Sequence, residues 1–220
     1  MNIALYGVCA LFSYLFCGMN PAIILARVLY GEDIRKVGSH NPGFTNFKRT
    51  YGGKYAWCVL VLDLLKAVLC CLCSAALFAS IQGCAQLGAA VAGLFAMLGH
   101  CYPIWYHFRG GKAFLVAMGA LWCVDWRAGL MGTCVLALLF FTLHYMSVAT
   151  LTAMLAGTLS LLWLGTDHVA VFPLCMFACL LLIWRHRGNL HRLAAGQEPR
   201  FYLSGKQAHP QTAQEDAKHS

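Results

Sequence analysis

Repeated apolar runs of about 20 residues, each long enough to cross a hydrocarbon core as a helix, most constrain what this chain can fold into. Short polar punctuation separates them. The pattern predicts helical spans over 3–28, 55–80, 86–106, 113–124, 129–146, 148–165 and 169–184, the fourth being short for a full crossing. Polar loops fall at 29–54, 81–85, 107–112, 125–128, around 147 and at 166–168. The fold class is therefore an all-α integral membrane protein with seven transmembrane helices, a single polytopic domain over 1–204. From Gly205 the tail (GKQAHPQTAQEDAKHS, 205–220) has too little apolar content to pack and is expected to be disordered. The first run starts almost at Met1 without a basic n-region or a small-residue cleavage site, so it reads as a retained helix and not a signal peptide. No internal repeat is visible.

Charge orients the spans. The chain is 60% hydrophobic and 11% charged, outside the range of ordinary soluble domains. A formal net charge of +8 would suggest nucleic acid in a soluble protein. Here the basic residues sit beside spans, so topology and anionic lipids or substrates account for them, and no nucleic-acid partner is expected. With segments taken in alternation, one side holds Arg27, Arg35, Lys36, Lys48, Arg49, Lys54, Arg109, Lys112 and the basic residues from Arg185 onward. The other holds Arg127, and Lys66 lies within the second span. The basic side is predicted to be cytoplasmic and the N-terminus outside; this supports seven spans, because an even number would put both termini on the same side. The twelve cysteines lie mostly inside apolar runs and read as small apolar fillers; Cys70 and Cys73 form a C-x-x-C with no second pair at zinc-site spacing.

Four polar-rich segments fall on one predicted face: KVGSHNPGFTNFKRTYGGK (36–54), GHCYPIWYHFRGGK (99–112), HYMSVAT (144–150) and RHRGNLHRLAAGQE (185–198). Together they suit a phosphate pocket. Glycine lets backbone N–H groups converge on an anion, Ser, Thr and Asn add neutral donors, and Arg49, Arg109 and Lys112 add charge-assisted ones. No nucleotide P-loop is present, because the glycine required five places before Gly111 is Tyr106. Read alone, Gly110-Gly111 fits a tight turn as well as an anion nest, and His100 fits a helix cap. Asp63 and Lys66, three apart in the second span, share a face and can pair, as a pocket wall or as a structural ion pair. His186 and His191, five apart, do not make a metal pair, and no metal site is expected; His186 and Asn189, three apart, face the same way.

In the stretches DIRKVGSHNPGFTNFKRTYGGK, LDLLKA, GHCYPIWYHFRGGK, YMSVAT and RHRGNLHRLAAGQEPRF, the chain resembles the bacterial acyl-phosphate:glycerol-3-phosphate acyltransferases of the PlsY type, over residues 4–202. The resemblance implies a multi-pass protein of the bacterial cytoplasmic (inner) membrane, with its active site at the cytoplasmic face. It implies transfer of an acyl group from acyl phosphate to the sn-1 hydroxyl of glycerol 3-phosphate, giving lysophosphatidic acid and phosphate, the first step of phospholipid synthesis. Acyl-CoA and other cofactors are not needed, and a monomer amid membrane lipid is expected. Matched residue by residue, it carries over Ser39, Lys112, His186 and Asn189 as catalytic. It carries over Asn41, Gly43, Thr45, Asn46, Arg49, His100, Arg109, Gly110, Gly111 and Ser147 as substrate-binding. Ser39, Thr45, Asn46 and Arg49 would hold one phosphate, and Lys112 with the Gly110-Gly111 backbone the other.

Several positions depart from the family pattern. His40 and Ala113 stand where glycine is usual, and Phe44 where alanine is. Phe114-Leu115-Val116 replaces aliphatic-Ala-Thr, Arg109 replaces lysine, and Gly188 replaces glutamate. CGMNP stands in place of G-S-I-P near the first span. The charged and amide residues survive while the space around them shrinks. The other large glycerolipid acyltransferase class carries His, four residues, then Asp. The positions five before each aspartate here are Val28, Cys58, Ala120, Leu162 and Gln211. Competing readings are a non-enzymatic membrane protein that binds or transports a phosphorylated small molecule, and a paralogue acylating another alcohol. Transporters place polar residues near the midplane and on both sides, whereas these crowd one face.

Overall fold

A computed structural model describes residues 2–202; the predicted disordered tail lies outside them. The described residues form helices with no strand. In order they are α1 (Ile3–Gly18), α2 (Pro21–Tyr30), α3 (Phe44–Tyr51), α4 (Tyr55–Gln82), α5 (Ala85–Cys101), α6 (Phe114–Val124), α7 (Trp126–Leu143), α8 (Met146–Leu164), α9 (Val171–Arg185) and α10 (Arg187–Ala194). Five stretches are long and apolar enough to cross a membrane: 3–30, 55–82, 85–106, 126–143 and 146–164. The α9–α10 pair, bent by 55°, makes a sixth if taken as one span, and α6, with 11 residues, is shorter than a full crossing.

The predicted first span is broken. Pro21 lacks an N–H, and Asn20 before it is extended (φ −97°, ψ 111°). Asn20 caps α2 by accepting from the Ile23 N–H at 3.1 Å, and its amide donates to the Pro42 carbonyl at 3.1 Å. The Met19 carbonyl freed by the break accepts from Lys66 Nζ at 3.1 Å, and Lys66 pairs with Asp63 at 2.9 Å. The buried ion pair thus stitches α4 to the α1–α2 break. A second boundary also moves. Asp125 caps α7, whose first residue, Trp126, stands three before the predicted start, and α7 ends at Leu143 with a left-handed cap at His144 (φ 59°). The chain turns at His144-Tyr145, so Ser147 lies in the first turn of α8 and not in a connection.

α5 is the central post, against α1, α4, α6 and α9. Small residues permit the close approach: a Cβ on Gly99 would lie 2.1 Å from the Tyr14 carbonyl oxygen. Large apolar side chains such as Leu72, Leu138 and Trp163 point outward and exposed, as a lipid-facing surface requires. All twelve cysteines are free, and the Cys17 and Cys70 sulfurs are 3.8 Å apart. At one end of the bundle, Gln86 exchanges 2.7 Å hydrogen bonds with Asp167 and reaches Asp125 at 3.4 Å, joining the α4–α5, α6–α7 and α8–α9 turns. The polar segments meet at the other end.

Candidate active site

There the α2–α4 connection, the segment before α6, the start of α8, the α9–α10 bend and residues 197–199 enclose a cavity of about 780 Å³. It has two parts. A polar end is lined by Ser39, Asn41, Thr45, Arg49, Lys112, Ser147, His186, Asn189, Arg192 and Glu198. An apolar arm runs between α4, α6 and α7, past Trp57, Leu60, Leu115, Leu136 and Phe140.

Glu198 is the hub of the polar end. Its carboxylate accepts from Asn189 Nδ2 at 2.6 Å, Ser147 Oγ at 2.8 Å and Arg192 Nε at 2.9 Å. Asn189 Oδ1 in turn accepts from Lys112 Nζ. Lys112, Asn189, Glu198 and Ser147 therefore form one chain of hydrogen bonds across four segments. Burial, reinforced by the nearby Arg192, pushes the Lys112 ammonium down to about 8, and Glu198 acts in the opposite direction. Burial also lowers Arg49, which as a guanidinium stays charged at neutral pH. Three cations against one carboxylate leave this end anion-seeking. His186 closes α9, and its ring Nδ1 bonds the Leu182 carbonyl at 2.9 Å. That bond makes Nδ1 the protonated nitrogen and leaves Nε2 a lone pair when the ring is neutral.

Several predicted residues do other work. The Gly110 and Gly111 amides are not an anion nest: they donate to the Cys101 and His100 carbonyls, both at 3.1 Å. Glycine is needed for space, because a Cβ on Gly111 would lie 2.4 Å from His100 Nε2. Arg185 grips both Gly carbonyls at 2.8–3.1 Å and so fixes the segment that presents Lys112. Asn46 is also spent internally, accepting from the Ser39 N–H at 2.8 Å and donating to the Val37 and Ile34 carbonyls at 3.0 and 3.3 Å. It staples the loop that carries Ser39. Arg109 is exposed and away from the cavity, and its carbonyl accepts from Arg35 at 3.2 Å. His100 is buried at the cavity floor, its Nδ1 3.4 Å from Asp63 and 3.1 Å from Lys66 Nζ, so it supports the wall. Gly43 is the extended N-cap residue of α3, whose first turn carries Thr45. Sequence reasoning passed over Glu198, Arg192 and Arg185 as site residues, although all three lie in the polar stretch 185–198. Among the described residues, no group of three or more His, Cys, Asp or Glu side chains is placed to hold a metal.

Residues 7–196 match the family described as glycerol-3-phosphate acyltransferase. The chain belongs to that family. A glycerol-3-phosphate acyltransferase of Gluconobacter oxydans (strain 621H) is 38% identical over 194 residues, 87% of this chain and 90% of that one. One from Rhodopseudomonas palustris (strain BisB5) is 38% identical over 200 residues, covering 90% and 97%. The fold is similar to the crystal structure of PlsY (YgiH), an integral membrane glycerol 3-phosphate acyltransferase, in its glycerol 3-phosphate form. The TM-score is 0.82 at 32% identity, over 90% of this chain and 96% of that one. The lysophosphatidic acid form of the same protein gives a TM-score of 0.79 at 30% identity. As a member of this family, the acyltransferase carries its two-part cavity where four separated motif stretches converge.

Proposed function

We propose that this acyltransferase moves an acyl group from acyl phosphate to the sn-1 hydroxyl of glycerol 3-phosphate, releasing lysophosphatidic acid and inorganic phosphate. The observation that carries the reading is one cavity with a cationic polar end continuous with an apolar arm. Two phosphates need two cationic places, and a long tail needs an apolar one. Arg49 with Ser39 and Thr45 holds one phosphate; Lys112 with Arg192 holds the other. His186 and Asn189 orient the glycerol hydroxyl. Its oxygen attacks the acyl carbonyl carbon, the bond from that carbon to the phosphate oxygen breaks, and phosphate leaves with the electron pair and takes up the hydroxyl proton. The acyl phosphate is already activated, so alignment and stabilisation of the leaving phosphate by Lys112 supply most of the rate.

The same reading places the protein in the bacterial inner membrane as a monomer, with seven crossings, the N-terminus outside and the site at the cytoplasmic face. The lopsided basic charge supports it, as do the three turns gathered at the end of the bundle opposite the cavity. The test is phosphate release by protein in lipid given palmitoyl phosphate, with and without glycerol 3-phosphate, and palmitoyl-CoA in parallel. Release that needs glycerol 3-phosphate, forms lysophosphatidic acid and ignores CoA is expected. No turnover by folded protein would sink the reading in favour of binding or transport.

A further inference from the structure

The apolar arm has a floor. On α7 the arm is lined by Phe141, Ala137 and, deepest, Thr133. Those positions span eight residues, about 12 Å of helix. Beneath them the three helices close up through glycines. A Cβ on Gly119 of α6 would sit 3.0 Å from Leu64 of α4. A Cβ on Gly129 of α7 would sit 2.5 Å from the Trp122 ring, and one on Gly132 would sit 3.2 Å from Met118 Cε. Above this level the cavity opens between α4, α6 and α7.

A hydrogen-bonded clasp marks the boundary. Trp122 Nε1 of α6 donates to Thr133 Oγ1 at 3.0 Å, and that hydroxyl donates to the Gly129 carbonyl at 2.8 Å. The threonine hydroxyl is thus used as donor and as acceptor, and it holds the indole ring, 39% exposed and outside the cavity lining, wedged on Gly129 behind Thr133. The wedge exists because Gly129 has no side chain to oppose it.

We propose that the Trp122–Thr133 clasp is the chain-length stop of the acyl arm, so these two residues determine specificity for the tail of the acyl phosphate. The inference rests on reading the arm as the acyl site. An extended chain advances roughly 1.2 Å per bond, so the stretch from Phe141 to Thr133 holds roughly the last ten carbons of the tail. A tail within that reach gains contact with each added methylene; a longer one meets Thr133, backed by the indole.

The test uses decyl to octadecyl phosphonates, which cannot transfer an acyl group, and measures their affinity for the protein in nanodiscs. Affinity, expressed against the free aqueous ligand concentration after subtraction of binding to empty nanodiscs, is expected to rise about fourfold per methylene up to a break length and then flatten. Trp122→Ala removes the wedge and moves the break to longer tails. Ala137→Leu adds bulk to the arm's exposed wall without removing core packing, and moves the break shorter by several carbons. The ratio of kcat/KM for stearoyl and lauroyl phosphate follows the same order. A break that stays in place in Trp122→Ala, whatever Ala137→Leu does, or no break, overturns the proposal. A break that shifts in protein without acyl transfer upholds the stop and refutes the acyltransferase reading. Turnover with an invariant break does the reverse. If Trp122→Ala does not fold, Trp122→Leu, which shortens the side chain behind Thr133, takes its place, because Ala137→Leu tests the arm and not the stop.

Discussion

Replacing Glu198 by glutamine keeps the size of the side chain and removes its charge from the centre of the polar end. Lys112 reports the consequence. Burial and Arg192 already bring its ammonium down to about 8, with Glu198 opposing them. A unit charge about one side chain away, at an effective dielectric near 20, is worth on the order of 1–3 kcal/mol, or roughly one to two pKa units. Asn189 and water screen the interaction, so the lower end applies. Removing a negative charge disfavours the ammonium, and the Lys112 pKa falls by about one unit. Phosphate binding needs the ammonium, whose population drops as pH rises through that pKa. The alkaline limb of kcat/KM for glycerol 3-phosphate therefore moves about one unit to lower pH in Glu198→Gln. Near pH 8 the charged fraction falls from about one half to about one tenth. The assay is phosphate release at saturating acyl phosphate across the pH range, with Lys112→Met as the variant that lacks the limb. A limb that stays in place, or moves to higher pH, refutes the coupling between Glu198 and Lys112.

Other perturbations separate support from chemistry. Asp63→Ala leaves Lys66 charged and buried against Met19, and should destabilise the fold by about 3–5 kcal/mol in detergent unfolding. Arg185→Met releases the carbonyls of Gly110 and Gly111, so KM for glycerol 3-phosphate should rise about tenfold while the unfolding midpoint moves little. His40, exposed and left-handed at φ 58°, should become more stable as glycine: relief of about 1–2 kcal/mol exceeds the roughly 0.4–1 kcal/mol of added chain entropy. Ala113, at φ 64°, should not benefit, because its methyl is 3% exposed and its burial is worth about 0.8 kcal/mol. Equal responses at His40 and Ala113 would show that backbone strain does not govern either position.

Helix positions were largely legible because apolar runs of membrane length leave few alternatives. The break at Met19-Asn20 was missed because apolar residues continue on both sides, although Asn-Pro is the ordinary cap-and-first-turn pair. The convergence of four polar segments was legible from charge alternation. Their division of labour was not. Gly110-Gly111 reads the same whether glycine exposes amides or makes room for His100, and the structure selects the second. Asn41 and Asn46 look equivalent in one polar loop, yet Asn41 lines the cavity while the Asn46 amide is spent on the loop backbone. A carboxylate in a phosphate pocket looks repulsive in sequence. Glu198 makes sense only when Arg192, Asn189 and Ser147 are seen around it. Positions 40 and 113, where the resemblance leads one to expect glycine, are both left-handed here, the conformation glycine adopts without strain.

The placement of Phe201 bears on how the molecule is made. Its ring lies 6.2 Å from both Phe44 and Phe140, and its amide bonds the His144 carbonyl at 2.9 Å. Three residues earlier, Glu198 supplies the carboxylate for cations contributed as far back as Arg49. A growing chain therefore threads its spans into the bilayer with the cationic cluster unbalanced and the aromatic wall open. Both are completed within the same few residues, after the last helix has emerged. A polypeptide cut short in α9 lacks both the Glu198 carboxylate and the Phe201 ring that complete the cavity, and is expected to be inactive even where its earlier helices insert. On the proposed function, membrane insertion and catalytic competence are separable, and competence is expected only in molecules whose synthesis has passed residue 201.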